Sequence, residues 1–200
     1  MPTPAEVSCV IVTRGDVDLR PVLDSLIFED VVVWDNSARE EDYMTYGRVI
    51  GARSAKHKLI YSQDDDIIHT PEDQQRIIDA YDEGFLVGCM WDEWSAGAYR
   101  QGIPNGYSDL VFPGSGSVSH LELWEESVDE YLSEWPYDDF FKLWCDAIIG
   151  VIAPTRQLDI RFGEMPWAGV GDRMAYLPNA VEQKSEAIRR ARQIRDGVPA

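Results

Sequence analysis

The chain has 200 residues, of which 44% are hydrophobic, enough to bury the core of one α/β domain and too many for a globally disordered chain. Its 36 acids against 18 bases give a formal net charge of −18, a field that repels phosphate backbones and disfavours a generic nucleic-acid binder. Cys9, Cys89 and Cys145 form no CxxC pair, no segment approaches the ~20 apolar residues of a membrane span, and residues 1–6 carry no signal-like apolar run, so the expectation is a cytoplasmic protein with buried free thiols.

Residues 7–12 (VSCVIV) form a short β-branched apolar run that suits a buried parallel strand, broken by Thr13-Arg14-Gly15-Asp16. Asp18 is placed to cap a helix carrying Leu19, Val22, Leu23 and Leu26 on one face. Residues 30–34 (DVVVW) read as a second buried strand ending in Asp35-Asn36-Ser37, which completes one βαβ unit. A helix is expected around 49–55, after Tyr46-Gly47-Arg48. Residues 58–62 (KLIYS) form a third strand that runs into Gln63-Asp64-Asp65-Asp66. Thr70 then caps a helix that has Pro71 first and Asp73 as the capping-box partner. Ile77, Ile78 and Tyr81 give that helix its apolar face, Gly84 ends it, and 85–90 form a fourth strand.

The second half is less regular. Residues 91–108 read as a long loop or hairpin, 110–119 (LVFPGSGSVS) as a strand with a Gly-rich centre, and 120–132 as a helix. Residues 136–144 (PYDDFFKLW) look like a helix opening on acids, 146–153 (DAIIGVIA) like a strand, and 178–195 like a C-terminal helix. With no repeat, low-complexity tract or linker, the expectation is one α/β domain over 1–200, a mostly parallel Rossmann-type sheet flanked by helices. The three polar clusters at Thr13, Asp35 and Asp64 all fall at the C-terminal ends of strands, where such sheets bind ligands.

Three adjacent carboxylates repel one another, so Asp64-Asp65-Asp66 at the end of a buried strand calls for a reason other than stability. In extended backbone Asp64 and Asp66 point the same way, and hard oxygen ligands suit Mg2+ or Mn2+. Arg48 and Arg53 precede this strand, and a planar guanidinium suits bidentate phosphate contact. Asp138-Asp139 is a second acid pair at a helix start, fitted either to cap the helix or to take a proton from a hydroxyl. Pro113-Gly114-Ser115-Gly116-Ser117 is no Walker loop, because no Gly-Lys-Ser/Thr follows. Trp91, Asp92, Glu93 and Trp94, and the later Trp167, Gly169, Gly171, Asp172 and Arg173, could contact a sugar or close over a ligand.

This order of motifs resembles the GT-A glycosyltransferase fold. Residues 1–90 look like its nucleotide-sugar half, leaving 91–200 for the acceptor. The run KLIYSQDDDI is similar to the strand and DDD motif of exostosin-like transferases and to the DxD of family-two transferases. The resemblance implies a divalent metal, Mn2+ or Mg2+, bound by Asp66 with Asp64, while Asp64 and Asp65 also serve the donor. It implies that Thr13, Arg14 and Asp16 hold base and ribose, that Asp35 contacts the base with Asn36 beside it, and that Arg48 reaches the diphosphate. Asp138 or Asp139 would act as the base or contact the acceptor. The chain departs from the pattern in one respect: His57, His69 and His120 are its only histidines, and none lies late enough to be the third metal ligand some members use.

The implied reaction moves a sugar from a nucleotide sugar, by preference a UDP-sugar, to a hydroxyl acceptor. Exostosin-like enzymes retain and family-two enzymes invert, and the chain resembles both. The acceptor stays open between a modified DNA base, a virion protein and a cell-surface glycan, with nucleic acid entering only as a modified acceptor, and the short chain suggests a bacterial or phage enzyme. The rival readings are a nucleotidyltransferase, against which the short Thr13–Asp16 loop counts, and a non-catalytic nucleotide-sugar-binding module.

Overall fold

A computed structural model describes residues 1–89, 110–160, 163–164 and 179–198. The expected loop at 91–108, including Trp91, Asp92, Glu93 and Trp94, and the late loop with Trp167, Gly169, Gly171, Asp172 and Arg173 lie outside the described residues. The strands are β1 (Ser8–Thr13), β2 (Asp30–Asp35), β3 (Leu59–Gln63), β4 (Leu86–Cys89), β5 (Ser115–His120) and β6 (Thr155–Leu158). The helices are α1 (Arg20–Asp24), α2 (Gly47–Arg53), α3 (Pro71–Asp79), α4 (Leu121–Glu134), α5 (Asp139–Ile152) and α6 (Ala180–Arg195).

The six strands form one sheet in the order β2-β1-β3-β5-β4-β6, with β5 antiparallel to both neighbours and the other pairings parallel. Strand alternation sends β1 side chains to two cores. Val10 joins Ile60 and Leu86 beneath α2, α4, α5 and α6, whereas Cys9 and Ile11 join Tyr61, Val87 and Val118 beneath α1 and α3. Both faces are covered, which explains why β1 and β3 read as continuous apolar runs. Cys9, Cys89 and Cys145 are buried free thiols, as expected. No described helix is long and apolar enough to cross a membrane.

Local signals hold at α3, where the Thr70 side chain accepts from the Asp73 amide at 3.1 Å and Pro71 is the first helical residue. The first helix is shorter than its pattern predicts. Leu19 is its cap, Asp18 accepts from the Arg20 amide at 3.1 Å, and Leu23 faces solvent. Residues 110–114 lead into β5 and are not part of it.

The largest correction concerns 146–153. It is no strand but the second half of α5, which begins at Asp139 and is capped by Asp138. Phe141, Lys142, Trp144, Cys145 and everything from Ala147 to Ile152 are buried there. From Ala147 to Ile152 every residue is apolar and buried, so no polar face marks the 3.6-residue period there and a run of isoleucine and valine mimics a strand. The strand that follows, β6, was not expected; its sequence TRQL is polar and its residues are mostly half-exposed.

Candidate functional site

From β1 the chain passes to β2 on one side, then crosses back over β1 to reach β3 on the other, so the strand order switches direction between β1 and β3. The crevice at the C-terminal ends of these two strands is where an open α/β sheet receives ligands. Thr13 ends β1, Asp64 follows β3, and antiparallel β5 brings its preceding loop to the same edge, with Gln63 opposite Ser115.

The acid run is anchored from behind by Arg48, whose side chain is fully buried. Its Nε lies 3.1 Å from Asp146 Oδ2 and 3.3 Å from Oδ1. Nη1 donates to Ser62 Oγ at 2.8 Å and to the Gln63 carbonyl at 2.9 Å. Nη2 donates to Asp64 Oδ1 and sits 3.1 Å from Asp146 Oδ2. Four of the five guanidinium N–H groups are therefore hydrogen-bonded inside the protein, and Nη2 is also in the ion pair with Asp146. Arg48, which the resemblance assigned to the diphosphate, lies beside the acid run with its buried fork on Asp64 and Asp146.

Asp64 is held from two sides. Its amide donates to the Gly114 carbonyl at 2.7 Å, and Gly114 packs directly on its carboxylate. A Cβ on Gly114 would overlap Asp64 Oδ1 and lie 2.8 Å from Arg48 Nη2, so only glycine lets this loop approach. The Gly-rich segment thus braces the acid run by backbone contact.

Asp65 turns toward β1. Burial, with the charges of Asp64 and Asp16 nearby, pushes its carboxyl up to about 6, against a hydrogen bond from Thr13 that works the other way. Thr13 Oγ1 also accepts from the Gly15 amide at 3.0 Å. Arg14 pairs with Asp16 at 2.7 Å, and Asp35 Oδ1 caps the following turn, accepting from Ser37 N at 2.9 Å and Ser37 Oγ at 2.6 Å. Gly15, at φ +77°, packs against Ser37, which joins the ends of β1 and β2. Asn36 is buried and structural: its Oδ1 accepts from Trp34 Nε1 at 3.0 Å and Tyr43 N at 3.1 Å.

Two residues that the sequence reading passed over complete the group. Asp146, on α5, has its carboxyl pushed up to about 6 by burial, with Arg48 opposing the shift and Asp64 adding to it. Lys184, on α6, holds its ammonium 4.6 Å from the Phe112 ring centroid; burial pulls it down to about 8, while the charges of Asp64 and Asp146 pull it back up. A lone acid inside an apolar helical run was the available signal for Asp146, and the strand reading hid it.

Asp138 and Asp139 are not gathered into this cluster. Asp138 caps α5 by accepting from Phe141 N at 2.9 Å, and Asp139 pairs with Lys142 at 3.0 Å. At ~1.5 Å per residue they stand roughly 10 Å along the helix from Asp146.

The group consists of hard carboxylate oxygens, and burial, with neighbouring carboxylates adding to it, raises the pKa of two of them. Asp64 Oδ1 is taken by Arg48, and among the described residues no group of three or more His, Cys, Asp or Glu could hold a metal by itself. Among the described residues, then, no set of side chains would cage an ion by itself. No known protein-family model matches the sequence, and no curated protein matches it.

Proposed function

We propose that the protein is a glycosyltransferase that takes its sugar from a nucleotide-sugar donor. The observation that most supports this reading is the fixed acid run at the switch point between β1 and β3, braced by Arg48 and faced by Thr13. The earlier resemblance to GT-A transferases points the same way.

In this reading each residue has a defined task. Arg48 neutralises and orients Asp64, so that carboxylate does not swing on ligand binding. Thr13 holds Asp65 against the end of β1. Arg14, Asp16 and Asp35 form the rim toward β2, where ribose hydroxyls and a base edge would find donors and acceptors. Asp66, with the remaining oxygen of Asp64, would hold a Mn2+ or Mg2+ ion, which supplies charge neutralisation to a departing nucleoside diphosphate. Proton removal from the acceptor is not routed through Asp138 or Asp139, because their carboxylates are engaged in a cap and a surface ion pair.

The first test is a thermal-shift screen of nucleoside diphosphates and nucleotide sugars with and without Mn2+. A ligand that binds the folded state raises the melting temperature in proportion to RT ln(1 + [L]/Kd). The reading expects one nucleoside diphosphate to stabilise the protein only with the cation present. Stabilisation by none of them overturns it.

A further inference from the structure

We infer that Gln63 is a positioning residue for the acid run, tying its two ends together from the face of the sheet opposite Arg48. The use of that tie in ligand binding rests on the reading of this crevice as a diphosphate site. Gln63 is the last residue of β3 and is fully buried. A buried carboxamide costs free energy unless its donor and acceptor are both used, and an apolar side chain of the same length would fill the place without that cost. Here both are used. Nε2 donates to the Ile67 carbonyl at 2.6 Å, and Oε1 accepts from the Tyr61 hydroxyl at 2.9 Å. A carbonyl only accepts, so the amide NH2 must face Ile67 and the oxygen is left for Tyr61. Tyr61, two residues earlier on the same strand face, is fully buried with its ring stacked on Phe28 at 4.6 Å. The tie is therefore anchored in the core beneath α1 and α3.

The bond from Gln63 to Ile67 spans Asp64, Asp65 and Asp66. At its near end the run is held by Arg48 and by the Gly114 carbonyl. At its far end Ile67 is held by Gln63 and by its own buried side chain. Two residues further on, His69 donates from Nε2 to the Ser115 carbonyl at 3.1 Å, which fastens the far end to the same Gly-rich loop. Gln63 also works on the other face, since its backbone carbonyl accepts from Arg48 Nη1 at 2.9 Å. Adjacent carboxylates push such a run apart, and a tie across its ends opposes that. A ligand bringing a cation then meets carboxylates already in place, with little ordering left to do on binding.

Gln63→Met keeps the length of the side chain and removes both hydrogen bonds. Tyr61→Phe keeps Gln63 and removes only the hydroxyl that orients it. Leu121→Val is the control: it thins the core at the opposite end of β3, where the Leu121 amide binds the Lys58 carbonyl at 2.8 Å. The first measurement is amide hydrogen exchange without any ligand. Residues 64–67 should exchange roughly fivefold faster in Gln63→Met, the worth of one hydrogen bond, and as in the wild type in Leu121→Val. The second is isothermal titration with inorganic pyrophosphate and Mg2+. The wild type should bind, Gln63→Met about 10–100-fold more weakly, the scale on which partners behind a ligating group act, Tyr61→Phe more weakly by a smaller factor, and Leu121→Val as the wild type despite its lower melting temperature. If Gln63→Met does not fold, Tyr61→Phe carries both measurements. Unchanged exchange at 64–67, equal affinity in wild type and Gln63→Met, or equal losses in Gln63→Met and Leu121→Val overturns the assignment and leaves the diphosphate reading standing. Faster exchange in Gln63→Met with no pyrophosphate binding by the wild type keeps the tie and overturns the diphosphate reading.

Discussion

Arg48 and Asp146 meet inside the protein, with Nε 3.1 Å from Oδ2. The arginine lies on the helix that leads into the acid-run strand, and the aspartate lies ninety-eight residues later on α5. Their contact ties α2 to α5 on one side of the sheet, and Asp64 pairs with the same guanidinium.

Removal of the arginine should therefore be costly. Arg48→Met leaves Asp146 mostly buried without its partner and Asp64 without its brace. The expected destabilisation is about 3–5 kcal/mol, as for one half of a buried ion pair, read from urea unfolding. Arg48→Lys should recover only part of it, because an ammonium cannot span Asp146, Ser62 and Asp64 with one planar fork. A loss below about 1 kcal/mol for Arg48→Met, the range of exposed pairs, would contradict the buried anchor.

Gly114→Ala tests the brace from the other side. The added methyl would overlap the Asp64 carboxylate and press on Arg48 Nη2. The expected cost is about 1–3 kcal/mol, the range for overpacking, together with weaker binding of divalent cation and diphosphate. Wild-type stability and wild-type binding together would show that the loop is not packed on Asp64.

Asp146 gives a pH signature with a definite sign. Its folded pKa, pushed up to about 6 by burial, lies above the ordinary carboxylate value of 3.8. Between these values the folded state holds more protons than the unfolded state, so this group's contribution to stability falls as pH rises through the window. Asp146→Asn removes that slope while keeping an oxygen for Arg48. The difference in unfolding free energy, wild type minus variant, should decline from about pH 4 to about pH 6 and then level off. A flat difference, or one that rises, contradicts the raised value.

Asp138→Ala separates capping from chemistry. Loss of the hydrogen bond to Phe141 N should cost ~1 kcal/mol of stability and leave turnover with a donor and acceptor unchanged once the protein is folded. A fall in turnover of about a hundredfold, the scale of a lost general base, would return Asp138 to the reaction.

The fold of the first ninety residues was largely readable. The β1 and β3 runs are short, apolar and bounded by polar breaks, and Thr70-Pro71 announces α3 in local chemistry alone. The site was readable only where it depends on local order, as with Asp64 at a strand end. Arg48 shows the limit: its position before the acid-run strand is visible in the sequence, but its burial goes with Asp146, and Asp146 sits in a helix whose buried second half hides the helical period. Lys184 is hidden for a related reason. One lysine in a polar, arginine-rich helix carries no mark of facing inward until Ala180, Ile188 and Ala191 are seen against the core.

The proposed chemistry is tested most directly by incubating the protein with the stabilising nucleotide sugar and measuring the released product by ion-exchange chromatography. The account expects release of the nucleoside diphosphate that requires Mn2+ or Mg2+, is lost in Asp66→Ala, and falls sharply in Asp64→Asn. Release of pyrophosphate, or release of nucleoside diphosphate that persists in Asp66→Ala, would contradict it.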